Sequence, residues 1–147
     1  MPSRCDFAQP EAEMDEMRRT ARLLAVDDHA DSAELIARIA MKLGYEARSA
    51  SSPDSLRERL SDWHPDILTL DLCMPEEDGV GVFSLLNQLQ FTGRIVIISG
   101  HDEWLRKSAS RLASALGLQI AGNLAKPIDL KALRGLLTDM HAAIAAA

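Results

Sequence analysis

Apolar residues in this chain gather into short runs, and between the runs they recur at helical spacing. Leu23-Leu24-Ala25-Val26 is the first run, a strand that ends in Asp27-Asp28. Leu35, Ile36, Ile39, Ala40 and Leu43 then follow the helical period, and Gly44 closes that helix as a C′ residue. Tyr45 to Ala50 alternates weakly, as a strand near a sheet edge does. Ser52-Pro53-Asp54 sets a proline at a helix start, where its missing N–H costs nothing. Leu56 and Leu60 mark the apolar face of a short helix that ends near Trp63-His64-Pro65. Ile67 to Leu70 is a run bounded by charge, which predicts a strand buried on both faces with Asp71 at its carboxyl end. Met74-Pro75 and Asp78-Gly79 are turn signals, and Val82, Phe83, Leu86 and Leu89 place a helix over residues 80–90. After Gly93, the β-branched run Ile95-Val96-Ile97-Ile98 is a buried strand ending at Ser99-Gly100. Leu105, Leu112 and Leu116 share a face of a helix spanning about 102–116, stopped by Gly117. Ile120 to Ala125 forms a fifth, weaker strand before Lys126-Pro127. Asp129 caps a final helix carrying Leu130, Leu133, Leu136, Leu137 and Met140, and the alanines of 142–147 extend it.

Strand and helix thus alternate five times. Because crossovers between parallel strands are right-handed, the pattern implies an α/β fold, a single doubly wound parallel sheet with helices on both faces. One domain is expected over residues 21–147. Residues 1–20, polar at first and then a run with acids ahead of bases, read as an N-terminal extension, partly ordered or helical.

Composition narrows the class. With 47% hydrophobic and 26% charged residues in 147, the chain has the make-up of a soluble globular domain large enough for a real core. A net charge of −6 gives no reason to expect nucleic-acid binding. No apolar run approaches the ~18 residues of a membrane span, and no secretory segment is evident. Two cysteines, Cys5 and Cys73, make no disulfide framework, so a cytoplasmic location with reduced thiols is expected.

The chemistry lies at the strand ends. Asp27-Asp28, Asp71, Ser99 and Lys126 each follow a strand, and in a parallel sheet all those ends share one edge. Carboxylates converging there would repel without a cation. Oxygen ligands of this kind suit Mg²⁺, a hard ion that keeps several waters and takes one or two carboxylates plus a phosphate. A lysine and a hydroxyl beside them would offset and hydrogen-bond the oxygens of a phosphoryl group. In-line attack by Asp71 would form an aspartyl phosphate, a mixed carboxylic–phosphoric anhydride.

On these residues the chain resembles the receiver domains of two-component response regulators, including those of chemotaxis. The matching segments are Asp27-Asp28, the stretch from Asp71 to Gly79, Ser99-Gly100 and Lys126-Pro127, and the likeness covers about residues 21–142. Each motif alone is weak; together, in this order, they are specific. The resemblance implies a flavodoxin-like three-layer sandwich with strand order 2-1-3-4-5. It implies that Asp71 accepts a phosphoryl group from the phosphohistidine of a sensor histidine kinase or phosphotransfer protein, with no enzymatic turnover. It further implies that Asp28 and Asp71 bind Mg²⁺ together with the Cys73 main-chain carbonyl, with Asp27 nearby. Ser99 is then the switch hydroxyl, Lys126 the phosphate-binding lysine and Pro127 a cis proline. The switched surface is the face of the fourth helix, fifth strand and fifth helix, presented to an effector or output domain, with the chain a monomer or weak homodimer.

The chain departs from the family at Asn123, where an aromatic residue usually precedes the lysine by three positions. The long segment from Ser99 to Lys126 looks most like receivers joined to cyclic-di-GMP phosphodiesterase modules. Cys73 stands two positions after Asp71 and His101 two after Ser99; the resemblance implies that these positions flank the phosphoryl group and tune its hydrolysis, but a small filler and a solvated loop residue are equally good readings of them. His29 is set aside as a Mg²⁺ ligand because that ion prefers oxygen. His64 and His141 are expected on the surface, and Trp63 and Trp104 in partial core or on helix faces. A contrasting expectation is an aspartate-nucleophile phosphatase or phosphotransferase of similar fold. Its general acid would be an Asp two residues after Asp71, where Cys73 stands instead.

Overall fold

The computed structural model describes residues 20–72, 79–100 and 103–146. Five strands and five helices alternate among them: β1 (Arg22–Val26), α1 (Ala30–Lys42), β2 (Glu46–Ala50), α2 (Pro53–Asp62), β3 (Ile67–Asp71), α3 (Gly79–Gln88), β4 (Arg94–Ser99), α4 (Glu103–Ala115), β5 (Gln119–Ala125) and α5 (Leu130–Ala146). All strand pairs are parallel, in the order β2-β1-β3-β4-β5. This is the doubly wound, flavodoxin-like sandwich.

The three central strands are buried on both sides because their side chains alternate between two apolar layers. Leu24, Val26, Leu68, Leu70, Ile95 and Ile97 pack beneath α2, α3 and α4. Leu23, Ala25, Ile67, Val96 and Ile98 face α1 and α5. A strand with one polar face would stop at a single layer; these runs require two.

Local chemistry sets the helix ends. The Ser52 side chain accepts from the backbone N–H of Ser55, whose own hydroxyl returns to Ser52, a reciprocal cap in front of Pro53. Asp129 Oδ1 accepts from the backbone N–H of Lys131 and of Ala132 at 3.0 and 3.3 Å, as a capping acid should. Gly44 and Gly117 follow α1 and α4 at φ +101° and +79°, which only glycine adopts freely.

Several expectations need correction. Leu35, Leu89 and Leu130 were expected on buried faces but are 48%, 43% and 38% exposed. In α1 the sheet-facing arc is held by Ala33, Ile36, Ala37, Ile39 and Ala40, and Leu35 lies just beyond its Ile39 edge. In α4 the buried positions are Ala109 and Ala113, while Leu105, Leu112 and Leu116 are only partly covered. Trp63 is fully in the core at 3% exposure, with Arg48 stacked 4.6 Å from its ring centre. The turn signals at 74–75 and 78, Cys73, His101 and the extension up to residue 19 lie outside the described residues.

Candidate functional site

The carboxyl edge of the sheet gathers the ionisable groups. Asp71 is the last residue of β3, and the registers Asp71↔Ile98 and Ser99↔Ala125 carry that edge across to β5. The backbone N–H of Lys126 donates to the Ser99 carbonyl at 2.7 Å, so the lysine leaves β5 beside the end of β4. The Lys126–Pro127 peptide bond is cis. From there Lys126 Nζ reaches Asp71 Oδ2 at 2.8 Å and lies 3.9 Å from Asp27 Oδ2.

Asp27 and Asp71 are both buried, and Asp28 is the more open acid, its side chain 17% exposed. The backbone N–H of His29 donates to Asp27 Oδ1 at 2.9 Å, and the His29 ring nitrogen Nδ1 lies 3.1 Å from Asp28 Oδ1. One ligand atom from each of Asp27, Asp28 and His29 can be chosen within 4.8 Å of the others. Asp27 and Asp71 both act on the Asp28 carboxyl, which ties all three acids into one electrostatic cluster.

The electrostatics follow from crowding and burial. Loss of solvent, helped by the Asp71 charge, pushes the Asp27 carboxyl from 3.8 up to about 6, against the His29 N–H that favours its ionised form. For Asp28, partial burial is outweighed by hydrogen bonds from Asp27 and His29, and its carboxyl is held below the ordinary value. Burial acts to lower the pKa of Lys126, but the hydrogen bond and charge of Asp71, with Asp27 and Asp28 behind it, prevail and raise it. The lysine is therefore the cation that balances this cluster.

Ser99 is fully buried, and its hydroxyl has no hydrogen-bond partner among the described residues. A buried hydroxyl left unmet costs free energy unless a ligand completes it. Thr69 Oγ1, two residues before Asp71, is in the same condition. The acid set fits a hard divalent cation: it is all oxygen, includes a carboxyl strained by burial, and opens to solvent through Asp28.

The structure thus brings Asp27, Asp28, Asp71, Ser99 and Lys126 to one edge. Asn123 does not join them. It is exposed, and its carboxamide meets Ser110 of α4 at 3.4 Å. The link between His29 and the two acids was missed from sequence, where only its unsuitability as a Mg²⁺ ligand was considered; its position directly after the acid pair was the available signal.

Fold and edge chemistry together define a doubly wound domain with an acid–lysine site at the carboxyl ends of its strands. The model of the response regulator receiver domain matches residues 23–138, and the chain belongs to that family. It is 33% identical over 79 residues to chemotaxis protein CheY of Bacillus subtilis (strain 168), covering 53% of this chain and 66% of CheY. It is 26% identical over 125 residues to the signal transduction histidine-protein kinase BarA of Escherichia coli (strain K12), covering 84% of this chain but 13% of BarA. Two thirds or less of each of these relatives is therefore spanned. Among solved structures, a response regulator from Colwellia psychrerythraea superposes with TM-score 0.73 at 28% identity, covering 84% of this chain and 98% of its own. A response regulator signal receiver domain from Bermanella marisrubri does so with TM-score 0.67 at 30% identity, covering 82% and 98%. The chain is a receiver domain of two-component signalling. Receiver domains typically bind Mg²⁺ at an acidic pocket and interact with histidine kinases or phosphotransfer proteins and with output domains.

Proposed function

We propose that Asp71 is the phosphoacceptor of this receiver and takes a phosphoryl group from a phosphohistidine donor. The observation that carries this reading is the Asp71 carboxylate at the end of β3, bonded to Lys126 Nζ at 2.8 Å with Asp27 and Asp28 alongside. An Asp71 carboxylate oxygen attacks phosphorus as the bond to the histidine nitrogen breaks, and the imidazole leaves with the electron pair. Asp27, Asp28 and Asp71 would hold the Mg²⁺, which supplies charge neutralisation between acceptor and phosphoryl oxygens. Asp71 is only 2% exposed, so Lys126, whose side chain is 32% exposed, must swing outward to admit the donor. It then serves the new phosphoryl oxygens, and the Ser99 hydroxyl gains a partner where it has none among the described residues. The chain acts as a signalling acceptor without enzymatic turnover, in the cytoplasm, and α4, β5 and α5 form the surface whose partners respond. An output module of the cyclic-di-GMP phosphodiesterase type is the attachment that the segment from Ser99 to Lys126 favours.

Incubation with acetyl phosphate and Mg²⁺ tests the chemistry. Intact mass should show one added phosphoryl group, dependent on the metal and absent from Asp71→Asn, whose nearly isosteric side chain keeps the fold. Repeated turnover of phosphate esters, or labelling that survives Asp71→Asn, would overturn the reading.

A further inference from the structure

Between α4 and β5 lies a groove whose charge is opposite to that of the chain. It has a volume of about 380 Å³ and is lined by Glu103, Arg106, Lys107, Ser110, Arg111 and Asn123. That is room for a small organic molecule. Three cations and one acid face it, in a chain whose net charge is −6. The cations are poorly occupied. Lys107 and Arg111 form no ion pair among the described residues. Arg106 meets Glu103 only through a terminal nitrogen at 3.8 Å, and that carboxylate is 74% exposed, so water screens the contact. The Arg106 side chain is itself held in place, being 20% exposed, and its buried Nε has no hydrogen-bond partner among the described residues. On the β5 side, the Asn123 carboxamide and the Ser110 hydroxyl lie 3.4 Å apart, a long hydrogen bond that leaves both able to bond a ligand.

We propose that this groove binds a small organic phosphate, a phosphomonoester dianion whose body lies against Ser110 and Asn123. Arg106 and Ser110, and likewise Lys107 and Arg111, stand one turn apart, so the three cations share one side of α4 within about 7.5 Å along its axis. Long side chains can close on one group across that distance. A carboxylate offers two oxygens in one plane and a single charge. A phosphomonoester offers three terminal oxygens and a charge of about −1.5 to −2 at neutral pH, enough to meet all three cations at once. Arginine forks suit phosphate oxygens bidentately, and lysine adds a point charge. The amide and hydroxyl then supply donors and acceptors for polar groups of the attached body. Without a divalent ion the acid edge does not compete for such a ligand, because Asp27, Asp28 and Asp71 face the single lysine there. Occupancy would bear on the α4–β5 face that partners read; that consequence rests on the function proposed above, whereas binding does not.

Backbone amide shifts of the full, isotope-enriched chain test the site, titrated in EDTA at about 0.15 M salt. AMP and glycerol 2-phosphate should shift signals of α4 and β5 saturably, while adenosine and glycerol leave them unmoved. Inorganic phosphate should bind more weakly, having no body to meet Ser110 and Asn123. Arg106→Gln with Arg111→Gln should weaken binding of both esters by roughly tenfold or more. Asn123→Leu, which fills the groove and removes the amide, should weaken AMP as well. Arg38→Gln with Lys42→Gln removes the same charge from the exposed side of α1 and should leave affinity unchanged. The proposal is overturned by an absence of saturable shifts with either ester, or by binding that survives loss of the two arginines. It is equally overturned if sulfate, citrate or inorganic phosphate binds as tightly as the esters, or if the α1 pair matters as much. Shifts with a glutamate-rich peptide and none with the esters would give the groove to a protein partner instead. No phosphoryl transfer occurs in these metal-free titrations, so failure here leaves the Asp71 labelling result standing, and the reverse.

Discussion

Asp27 shows how one buried acid makes this site both costly and useful. Its carboxyl is pushed from 3.8 up to about 6 by burial first and by the Asp71 charge second. The protonated form is therefore the one the fold prefers, and the sign of the pH dependence follows. Stability from this group is fully present below pH 3.8 and is lost as pH rises through about 6. The shift corresponds to a loss on the order of 2–3 kcal/mol across that window. Asp28, shifted down, works only at the lower end, where acid removes its contribution. Urea unfolding of the metal-free protein at pH 7.5 and pH 5 should show a higher midpoint at pH 5. Asp27→Asn should raise the midpoint at pH 7.5 and flatten that difference; an equally steep pH dependence in the variant would contradict the assignment.

At the level of elements, β5 carries the most information that the sequence hid. Its opposite number Ile95–Ile98 was plain as a β-branched run, and the central strand was plain because Ile67 to Leu70 is apolar without interruption. The strand ends were equally legible, since Asp27, Asp71, Ser99 and Lys126 each stop a run. What no periodicity shows is the register shift opposite Ile95 and Val96, which pairs them with Ile120 and Gly122 and leaves Ala121 between. That extra residue switches sides: Ile120 packs with the α4 layer, Leu124 with the α5 layer, and Asn123 meets Ser110 thirteen residues away. Helix faces were misjudged for a related reason. Leu35, Leu89 and Leu130 sit at positions adjacent to the buried arc, and spacing alone cannot say which edge of an apolar stripe the sheet will cover. Gly122 is the β5 position where a side chain would meet α5. A Cβ there would fall 2.9 Å from Leu136 Cδ2, the far end of a half-buried side chain that can turn aside. Gly122→Ala should therefore cost less than about 1 kcal/mol. With Leu136→Ala in place even that cost should vanish from the urea midpoints; a loss above about 2 kcal/mol from Gly122→Ala in either background would place its cost elsewhere.

Across the whole molecule, the acid site and the fold share one electrostatic balance. The chain carries 22 acidic against 16 basic residues, and three of those acids meet at one edge with Lys126 as the cation in direct contact. A divalent cation among Asp27, Asp28 and Asp71 would relieve the same repulsion from the open side, so binding and stability must be linked. At 100 times its dissociation constant such an ion adds about 2.7 kcal/mol to the folded state. A proton on Asp27 competes for the same carboxylate, and its pKa of about 6 sets where the competition turns. Thermal unfolding with and without Mg²⁺ should therefore show a clear rise in Tm at pH 7.5 that shrinks as pH falls below about 6. Asp28→Asn should diminish the rise at every pH, since it removes the acid that opens to solvent. A rise of equal size at pH 5 and pH 7.5, or one untouched by Asp28→Asn, would mean the ion acts on the general negative surface and not at this edge.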